Sequence, residues 1–301
     1  MRIGIPQALL YFRYGNLWKR FFSTMGAEVV VSPETTDEML SDGIRHSVGD
    51  ICLPVKSFFG HVLALKDTVD YLFIPRMIRI EKDSYLCPKF LGLPDMVRAA
   101  IRNLPPVIDK EFNIKEKPLI TFLQEVWNAL QFRRKFFLPN DFTFDEHLPE
   151  YVTFSNKEKT WNITVGIAGR PYMVFDRCLN KGIISHLHKM EVNVVYHNPE
   201  DNYINETMNM LPKWVYWSMG KEIVSSVRRM LDDDIIDGII LISNAGCGPD
   251  SFITELSEHS FSNKKKPYMN LILDEHSSNA GLQTRIEAFV DMIERNQNKR
   301  Q

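Results

Sequence analysis

The sequence predicts an α/β protein with two domains, each built on a parallel sheet. Short apolar runs that suit buried strands alternate with longer stretches in which apolar residues recur every three or four positions, as in helices that cover a sheet. The chain has 301 residues, which exceeds the usual size of one domain. This length suits two domains of about 100–150 residues each.

The first domain is predicted to cover residues 1–115. It opens with the strand RIGIP and continues with an amphipathic helix from Leu9 to Met25, which Gly26 ends. The later elements keep the alternation: a strand at 27–32, a helix that starts within residues 35–38 and runs to about Val48, an apolar helix at 57–65 and a strand at 70–75. This order of elements is typical of a parallel sheet with helices on its faces.

A helical connector is predicted at residues 116–159, because PLITFLQEVWNALQFRRKFF has helical spacing and a polar, proline-containing stretch follows it. The second domain, 160–301, returns to the alternation. Its predicted elements are strands at 161–169, 192–197, 237–243 and 267–273 and helices at 176–190, 221–231 and 282–296, the last placed so that it could pack back on the first domain. The first domain opens with the strand residues I-G-I and the second with V-G-I, and each is followed by a proline and a tyrosine-containing helix. This repetition predicts two similar flavodoxin-like (Rossmann-like) domains.

The composition excludes several classes of protein. Apolar residues make up 44% of the chain and charged residues 25%, as in ordinary globular proteins, and the net charge of −2 gives no basic field for nucleic acid. The apolar runs are far shorter than the roughly 20 residues that cross a bilayer, so no membrane span is expected. The opening residues lack a signal-peptide pattern, which predicts a cytoplasmic protein whose 4 cysteines do not pair in disulfides.

Three cysteines have proline close by and a helix start downstream, in the segments ICLPVK, LCPKFLGLPD and NAGCGPDSF. Cys52, Cys87 and Cys247 are therefore expected beyond the carboxyl ends of strands, where ligands collect in open α/β sheets. Gly246 and Gly248 flank the third cysteine and would let backbone N–H groups point at its sulfur, as happens around iron–sulfur clusters. The alternative is that the thiols are buried as small apolar groups.

Longer motifs, spread in order over nearly the whole chain, resemble those of the acyl-CoA dehydratase activase-related family: IGIPQALLYF, CLPVKSFFGHVLALKD, DYLFIPR, CPKFLGLPDMVRAA, GIAGRPY, GCGPDSF and LDEHSSNAGLQTRIEAFVDMI. This family is related to the subunits of 2-hydroxyacyl-CoA dehydratases, benzoyl-CoA reductases and double-cubane-cluster proteins. In those subunits three cysteines bind a [4Fe–4S] cluster between α/β domains. The resemblance implies that Cys52, Cys87 and Cys247 hold such a cluster, or a larger iron–sulfur cluster.

The resemblance also implies a role as an iron–sulfur redox subunit of an anaerobic dehydratase or reductase, which passes a low-potential electron to an acyl-CoA thioester or another small substrate. The implied partners are an ATP-dependent activator protein with its own iron–sulfur cluster and a dehydratase-like subunit or a second copy of this chain. Because the chain has no phosphate-binding glycine pattern, it is not predicted to be the ATPase. Two alternatives stay open: a non-catalytic iron–sulfur carrier or scaffold, and a small-molecule-binding protein whose thiols are structural.

Acid/base chemistry is assigned to the segment after the last predicted strand. Asp274, Glu275 and His276 should open onto the same edge of the sheet as Cys247. A carboxylate or imidazole there could move a proton or order the cysteine loop, or it could only cap the turn.

Three basic residues are further candidates for binding a cofactor. Lys56 and Lys89, close to Cys52 and Cys87 in sequence, could offset the negative charge of a thiolate-bound cluster, although lysines are commonly just exposed. Arg170 could hold a phosphate or carboxylate at the following helix N-terminus, or the GRP sequence could be only a tight turn. Cys178 lies inside a helical pattern and is predicted to be an ordinary helix residue.

Overall fold

The structure is a computed structural model that describes residues 1–130, 136–138, 151–154, 161–263 and 266–298. The chain divides into two units. Unit 1 is Met1–His147 together with Tyr216–Ser218, and unit 2 is Leu148–Val215 together with Met219–Gln301. Most of the polar stretch of the predicted connector lies outside the described residues.

Unit 1 is built around a parallel sheet. Its elements in chain order are β1 (Arg2–Ile5), α1 (Tyr11–Thr24), β2 (Glu28–Val31), α2 (Asp37–His46), α3 (Leu53–Leu65), β3 (Tyr71–Phe73), β4 (Arg76–Arg79), α4 (Pro88–Ala100), β5 (Val107–Ile108), β6 (Glu111–Asn113) and α5 (Leu119–Ala129). The main sheet has four parallel strands in the order β2-β1-β3-β5, and β4 pairs with β6 separately. Each amphipathic helix buries one apolar face, as the spacing of its apolar residues predicts.

An aromatic cluster lies in the core of unit 1. Trp18 and Phe22 of α1 contact Phe73 of β3 with ring centroids 5.1 and 4.9 Å apart, and Trp18 contacts Phe122 of α5 at 6.0 Å. Burying an apolar side chain of this kind stabilises a fold by about 1.5–3 kcal/mol. The helix predicted as part of a connector is therefore α5, and it belongs to the core of unit 1.

Helices α2 and α3 pack with their backbones close together. A Cβ atom at Gly43 of α2 would collide with the backbone carbonyl of Lys56, and a Cβ atom at Gly60 of α3 would collide with the carbonyl of Met39. One glycine on each helix thus allows the close approach. The close packing against α2 holds α3, the helix that follows Cys52, in place.

The segment Tyr216–Ser218 completes unit 1 although it is distant in sequence from the rest of that unit. The N–H of Tyr85 donates to the carbonyl of Tyr216 at 2.9 Å, and the N–H of Ser218 donates to the carbonyl of Tyr85 at 3.1 Å. The buried hydroxyls of Ser84 and Ser218 are hydrogen-bonded at 2.8 Å. These bonds hold the loop that leads to Cys87.

Unit 2 is also built around a mainly parallel sheet. Its elements are β7 (Tyr151–Thr153), β8 (Ile163–Gly169), α6 (Pro171–Val174), α7 (Ile183–Lys189), β9 (Val192–His197), α8 (Asp201–Met210), α9 (Ser218–Asp232), β10 (Gly238–Asn244), α10 (Gly248–Ser260), β11 (Tyr268–Leu273) and α11 (Asn279–Asn298). The strand order is β11-β10-β8-β9-β7, and only β7 is antiparallel to its neighbour.

The centre of this sheet is apolar and closely covered. Every residue of β8 and β10 is buried. A Cβ atom at Gly238 would meet the side chains of Phe289 and Ile293 of α11. The last helix therefore packs on the sheet of its own unit.

The two units share one strand order. Numbered along the chain within each unit, the four parallel strands follow the order 2-1-3-4, as β2-β1-β3-β5 in unit 1 and β9-β8-β10-β11 in unit 2. This is the order of flavodoxin-like folds, whose ligands bind where connections diverge from the first and third strands. The predicted fold class is confirmed.

The helix predicted at 176–190 begins only at Ile183. The carboxylate of Asp176 accepts hydrogen bonds from the N–H groups of Cys178 and Leu179 at 2.9 and 3.1 Å, which closes a turn there. Cys178 therefore lies in a turn, and the prediction that it is a helix residue is wrong.

Candidate functional site

Cys52, Cys87 and Cys247 share one local position, because each is the N-cap residue of a helix. They precede α3, α4 and α10 respectively, and each of these helices has a proline at its first or second position. The first N–H groups of a helix lack partners within the helix, and its dipole favours negative charge at that end. All three thiols are half-buried. Each thiol therefore lies at a helix end whose dipole favours negatively charged groups.

Cys87 and Cys247 are also equivalent in topology. Each lies on the connection that leaves the third parallel strand of its unit, β3 in unit 1 and β10 in unit 2. The third strand borders the crevice in which flavodoxin-like folds bind ligands. The repeated fold thus presents a cysteine at the same place twice.

In unit 1, Lys89 links Cys52 to the helix that Cys87 caps. Lys89 is in the first turn of α4, and its Nζ lies 3.7 Å from the Sγ of Cys52. An ammonium at this distance stabilises a thiolate. Lys56, the other lysine predicted from the sequence, is a buried residue of α3.

In unit 2, the carboxylate of Asp250 accepts hydrogen bonds from Arg170, which follows β8, and from Asn244, which ends β10. Its Oδ1 accepts from Nε and Nη2 of Arg170 at 2.8 and 2.6 Å. Its Oδ2 accepts from the backbone N and the Nδ2 of Asn244 at 3.0 and 2.9 Å. All three residues are buried. The guanidinium of Arg170 is thus engaged by a carboxylate of its own unit.

The charge of Arg170 extends to Cys247. Burial alone would lower the pKa of Arg170, but the charges of Tyr172, Asp250 and Cys247 together hold this pKa well above its usual value. For the acid Asp250, burial alone would raise the pKa, but the charge of Arg170 and the hydrogen bonds from Arg170 and Asn244 keep this pKa below its usual value. Both partners are therefore ionised near neutral pH, within electrostatic range of the Cys247 thiol.

The cysteine loop of unit 2 is a tight turn. The N–H of Cys247 donates to the carbonyl of Asn244 at 3.3 Å, and the carbonyl of Cys247 accepts from the N–H of Ser251 at 3.0 Å. Gly246 has a φ of +68°, a conformation that favours glycine, and Gly248 begins α10. The two glycines predicted beside the thiol therefore form the turn and the helix start on either side of it.

The segment Asp274–His276 follows β11, the strand next to β10. Asn244 and Leu273 are paired in register at the ends of these strands, and the N–H of Ala245 donates to the carbonyl of Leu273 at 2.9 Å. The segment and the Cys247 loop thus leave the same edge of the sheet.

Asp274 is engaged in its own turn. Its Oδ1 accepts from Ser277 Oγ at 2.8 Å and from the N–H of His276 at 3.0 Å. The hydrogen bond from Ser277 is the largest cause that lowers the pKa of Asp274. The side chain of His276 is 86% exposed, and that of Glu275 is mostly buried. The local contacts are those of a capped turn, and acid/base roles for these residues stay predictions.

One buried histidine was not indicated as a polar centre by the sequence. The Nδ1 of His61 in α3 lies 2.8 Å from Ser32 Oγ, and its Nε2 lies 2.9 Å from Thr35 Oγ1. The N–H of Gln7 also donates to Ser32 Oγ at 2.8 Å. Burial lowers the pKa of His61 to about 4. The only sequence signal is a histidine in the otherwise apolar stretch SFFGHVLAL.

Asn244 was also missed. It ends the apolar run of β10, and its hydrogen bonds to Asp250 become visible only when the turn is folded. Its position just before GCG is the signal that could have identified it.

Across the described ranges, no three His, Cys, Asp or Glu side chains form a group that could hold a metal ion. Cys52 and Cys87 belong to unit 1 and Cys247 belongs to unit 2, so neither unit alone contains three of the predicted ligands. No helix in the part of the chain that the structure describes is long and apolar enough to cross a membrane.

The fold and the site define a class of α/β protein with two flavodoxin-like units and cysteines at helix N-termini. Residues 2–199 match the family model of the CoA enzyme activase uncharacterised domain (DUF2229), and the chain belongs to this family. Residues 189–293 are similar to the D-component of 2-hydroxyglutaryl-CoA dehydratase. A search of curated proteins finds no match. Cys52 and Cys87 fall in the first matched region, and Cys247 falls in the second.

Proposed function

We propose that this chain is an iron–sulfur redox subunit of the 2-hydroxyacyl-CoA dehydratase or acyl-CoA reductase type. In this proposal Cys52, Cys87 and Cys247 are thiolate ligands of a [4Fe–4S] cluster or a larger iron–sulfur cluster. The observation that carries the proposal is their common placement as N-cap residues of helices that have a proline at the first or second position. The family membership and the similarity to a dehydratase component supply the reaction type.

The chemistry of these positions suits such a group. Thiolates are the usual protein ligands of iron–sulfur clusters, and helix N-termini stabilise their negative charge. Lys89 adds a cation 3.7 Å from the sulfur of Cys52. When bound, the cluster would supply a low-potential electron for an acyl-CoA thioester or another small substrate. The residues of the chain would hold the thiolates, donate hydrogen bonds and keep water away from the buried start of α3.

The proposal includes partners and a compartment. An ATP-dependent activator with its own iron–sulfur cluster would deliver the electron, and a dehydratase-like subunit or a second copy of the chain would complete the enzyme. A reducing cytoplasm would keep the four cysteines from forming disulfides.

Anaerobic purification followed by measurement of iron and acid-labile sulfide tests the proposal. We expect both in stoichiometric amount, and a sharp loss of both when Cys52, Cys87 or Cys247 is changed singly to Ser. Cys178→Ser is the matched control and should keep the cluster. A wild-type chain without iron, or a cluster lost only in Cys178→Ser, would contradict the ligand assignment.

An assay with acyl-CoA substrates separates the catalytic role from that of a carrier. Under the proposal, the cluster-loaded chain with its activator and partner subunit converts an acyl-CoA. A chain that accepts electrons and transfers its cluster but supports no conversion in any such mixture would instead be a carrier or scaffold.

A further inference from the structure

Asp250 connects three elements of unit 2 at the carboxyl edge of the sheet. Arg170 directly follows β8, Asn244 is the last residue of β10, and Asp250 is in the first turn of α10. The four hydrogen bonds between these residues therefore tie the ends of two central strands to the start of one helix. Both oxygens of the carboxylate have two donors, and this leaves the side chain little freedom to move.

Cys247 lies midway between Asn244 and Asp250 in the sequence. The turn that carries it is anchored at one end by the amide and backbone of Asn244 and at the other end by Asp250 itself. The hydrogen bonds of the Cys247 backbone close the same turn. Fixing both ends of so short a segment restricts the backbone from which the thiol of Cys247 projects.

Stability does not explain a buried ion pair at this place. Removing two ions from water costs several kcal/mol for each, and apolar residues of the same volume often give an equally stable fold. An apolar pair, however, has no directional hydrogen bonds that could hold the end of β10. It also places no charge near Cys247.

We propose that Arg170, Asp250 and Asn244 are positioning residues for Cys247, which fix its turn and place a buried ion pair at the end of that turn. The inference rests on the proposed function, because it assigns the three residues to the cluster that Cys247 would bind. None of them needs to touch the cluster. Outer partners of this kind orient the ligands of metal sites, and losing one typically weakens metal binding by about 10- to 100-fold.

The test compares full-length variants that are purified anaerobically. Arg170→Met removes the charge, Arg170→Lys keeps the charge without the two-pronged geometry, and Asp250→Asn weakens both sets of hydrogen bonds. Arg76→Met is the matched control, because Arg76 pairs with Asp95 and Asp109 in unit 1. Cluster content, the midpoint potential and the electron paramagnetic resonance spectrum of the reduced cluster are measured for each variant. Circular dichroism reports folding.

We expect Arg170→Met and Asp250→Asn to retain the cluster about 10-fold less well or worse. Cluster that remains in Arg170→Met should have a lower midpoint potential and an altered spectrum, and Arg170→Lys should restore the potential in part. Arg76→Met should change neither. If Arg170→Met does not fold, Asn244→Ala takes its place, because it removes one hydrogen bond and no charge and should alter the spectrum.

The two proposals fail in different ways. A wild-type chain without iron overturns the proposed function whatever the variants do. A wild-type chain that holds its cluster, with folded Arg170→Met and Asp250→Asn variants whose cluster content, potential and spectrum are unchanged, overturns only the positioning role. A loss that occurs equally in Arg76→Met also overturns it, since it reflects general destabilisation.

Discussion

At the scale of single residues, the contact between Lys89 and Cys52 places a positive charge beside a candidate cluster ligand. The sequence offered Lys56 and Lys89 as equal candidates, each close to a cysteine along the chain. Lys89 reaches the other cysteine, because α4 begins beside the start of α3 in unit 1. Proximity in sequence to Cys87 therefore did not indicate which thiol this lysine serves.

Replacing Lys89 by Met tests this contact. Under the proposed function, the loss of one positive charge makes reduction of a nearby cluster less favourable and lowers its midpoint potential. A partly exposed charge pair is worth about 0.5–1 kcal/mol, which for one electron corresponds to roughly 20–45 mV. A redox titration followed by electron paramagnetic resonance measures the shift.

The control for this prediction is Lys82→Met, which changes an exposed lysine in the loop before Cys87. Lys89→Arg should stay near the wild-type potential. A Lys89→Met potential equal to that of Lys82→Met would show that the contact does not influence the cluster.

His61 makes the stability of unit 1 depend on pH. Its folded pKa of about 4 lies below the ordinary histidine value of 6.5, so the unfolded chain binds the proton more readily than the folded chain does. The stability that neutral His61 contributes is complete above about pH 6.5 and is lost as the pH falls toward 4. For this pair of pKa values the loss at pH 5 is about 2 kcal/mol.

Urea denaturation of the wild type and His61→Leu at pH 7.5 and pH 5 checks this prediction. The variant should be less stable at both pH values, because the hydroxyls of Ser32 and Thr35 each lose one hydrogen bond, at a cost of about 1 kcal/mol for each bond. Its loss of stability between the two pH values should nevertheless be smaller than that of the wild type by about 2 kcal/mol. Equal pH dependence in the two proteins would argue against a neutral buried His61.

At the scale of secondary-structure elements, the contact between α2 and α3 depends on glycine. Gly43→Ala and Gly60→Ala each place a methyl group against a backbone carbonyl, and a carbonyl cannot rotate away as a flexible side chain can. We expect each variant to lower the free energy of unfolding by about 1–3 kcal/mol. Chemical denaturation measures the loss.

Gly92→Ala is the matched control for these two changes. Gly92 also lies in a helix, α4, but a Cβ atom there would meet no other atom within 4 Å. Alanine is the better helix former by about 1 kcal/mol, so this variant should be slightly more stable than the wild type. The packing explanation fails if all three variants change stability by the same amount.

The sequence predicted helices and strands correctly where the pattern of apolar residues agreed with the turn residues at its ends. The strands β1, β8, β10 and β11 are short apolar runs bounded by turn residues, and their positions match the predicted ones closely. The helix predicted at 176–190 begins later than expected because the carboxylate of Asp176 accepts hydrogen bonds from two N–H groups and forms a turn instead. The periodicity of apolar residues does not indicate such side-chain hydrogen bonds. The role of α5 was missed for a related reason, since the partners of Phe122 are distant in the chain.

The candidate site was predictable in part for similar reasons. Proline close to each cysteine indicated a helix start downstream, and all three cysteines are N-cap residues. The partners of Asp250 could not be derived in this way. Arg170 lies 80 residues away, and the two meet only because β8 and β10 are neighbours in the sheet.

At the scale of the whole molecule, the repeated 2-1-3-4 strand order gives two places where a nucleotide could have been expected. Flavodoxin-like and related folds bind phosphate at the turn after the first strand. In unit 1 this turn carries the buried apolar residues Ala8, Leu9 and Leu10, and in unit 2 it carries Arg170, which is paired with Asp250. Neither turn offers a glycine-rich loop for phosphate.

We therefore expect the purified, homogeneous chain to hydrolyse no ATP above the rate of a blank. In the proposed system, ATP should drive reduction of the chain only after a separate activator is added. A phosphate-release assay under anaerobic conditions measures the first outcome, and reduction of the bound cluster measures the second. ATP hydrolysis that co-purifies with the chain and persists at homogeneity would refute this division of labour.

The position of Tyr216–Ser218 in the sequence determines when unit 1 can complete its fold during synthesis on the ribosome. This segment is translated some 70 residues after the rest of unit 1, which takes roughly 4 to 14 s at ordinary rates of synthesis. Until then the nascent chain lacks the hydrogen bonds that Tyr216 and Ser218 make with the backbone of Tyr85, and the one between the hydroxyls of Ser218 and Ser84. The loop leading to Cys87 therefore reaches its final form only after the first part of unit 2 has been translated. Under the proposed function, Cys87 could bind a cluster in its final position only after that point.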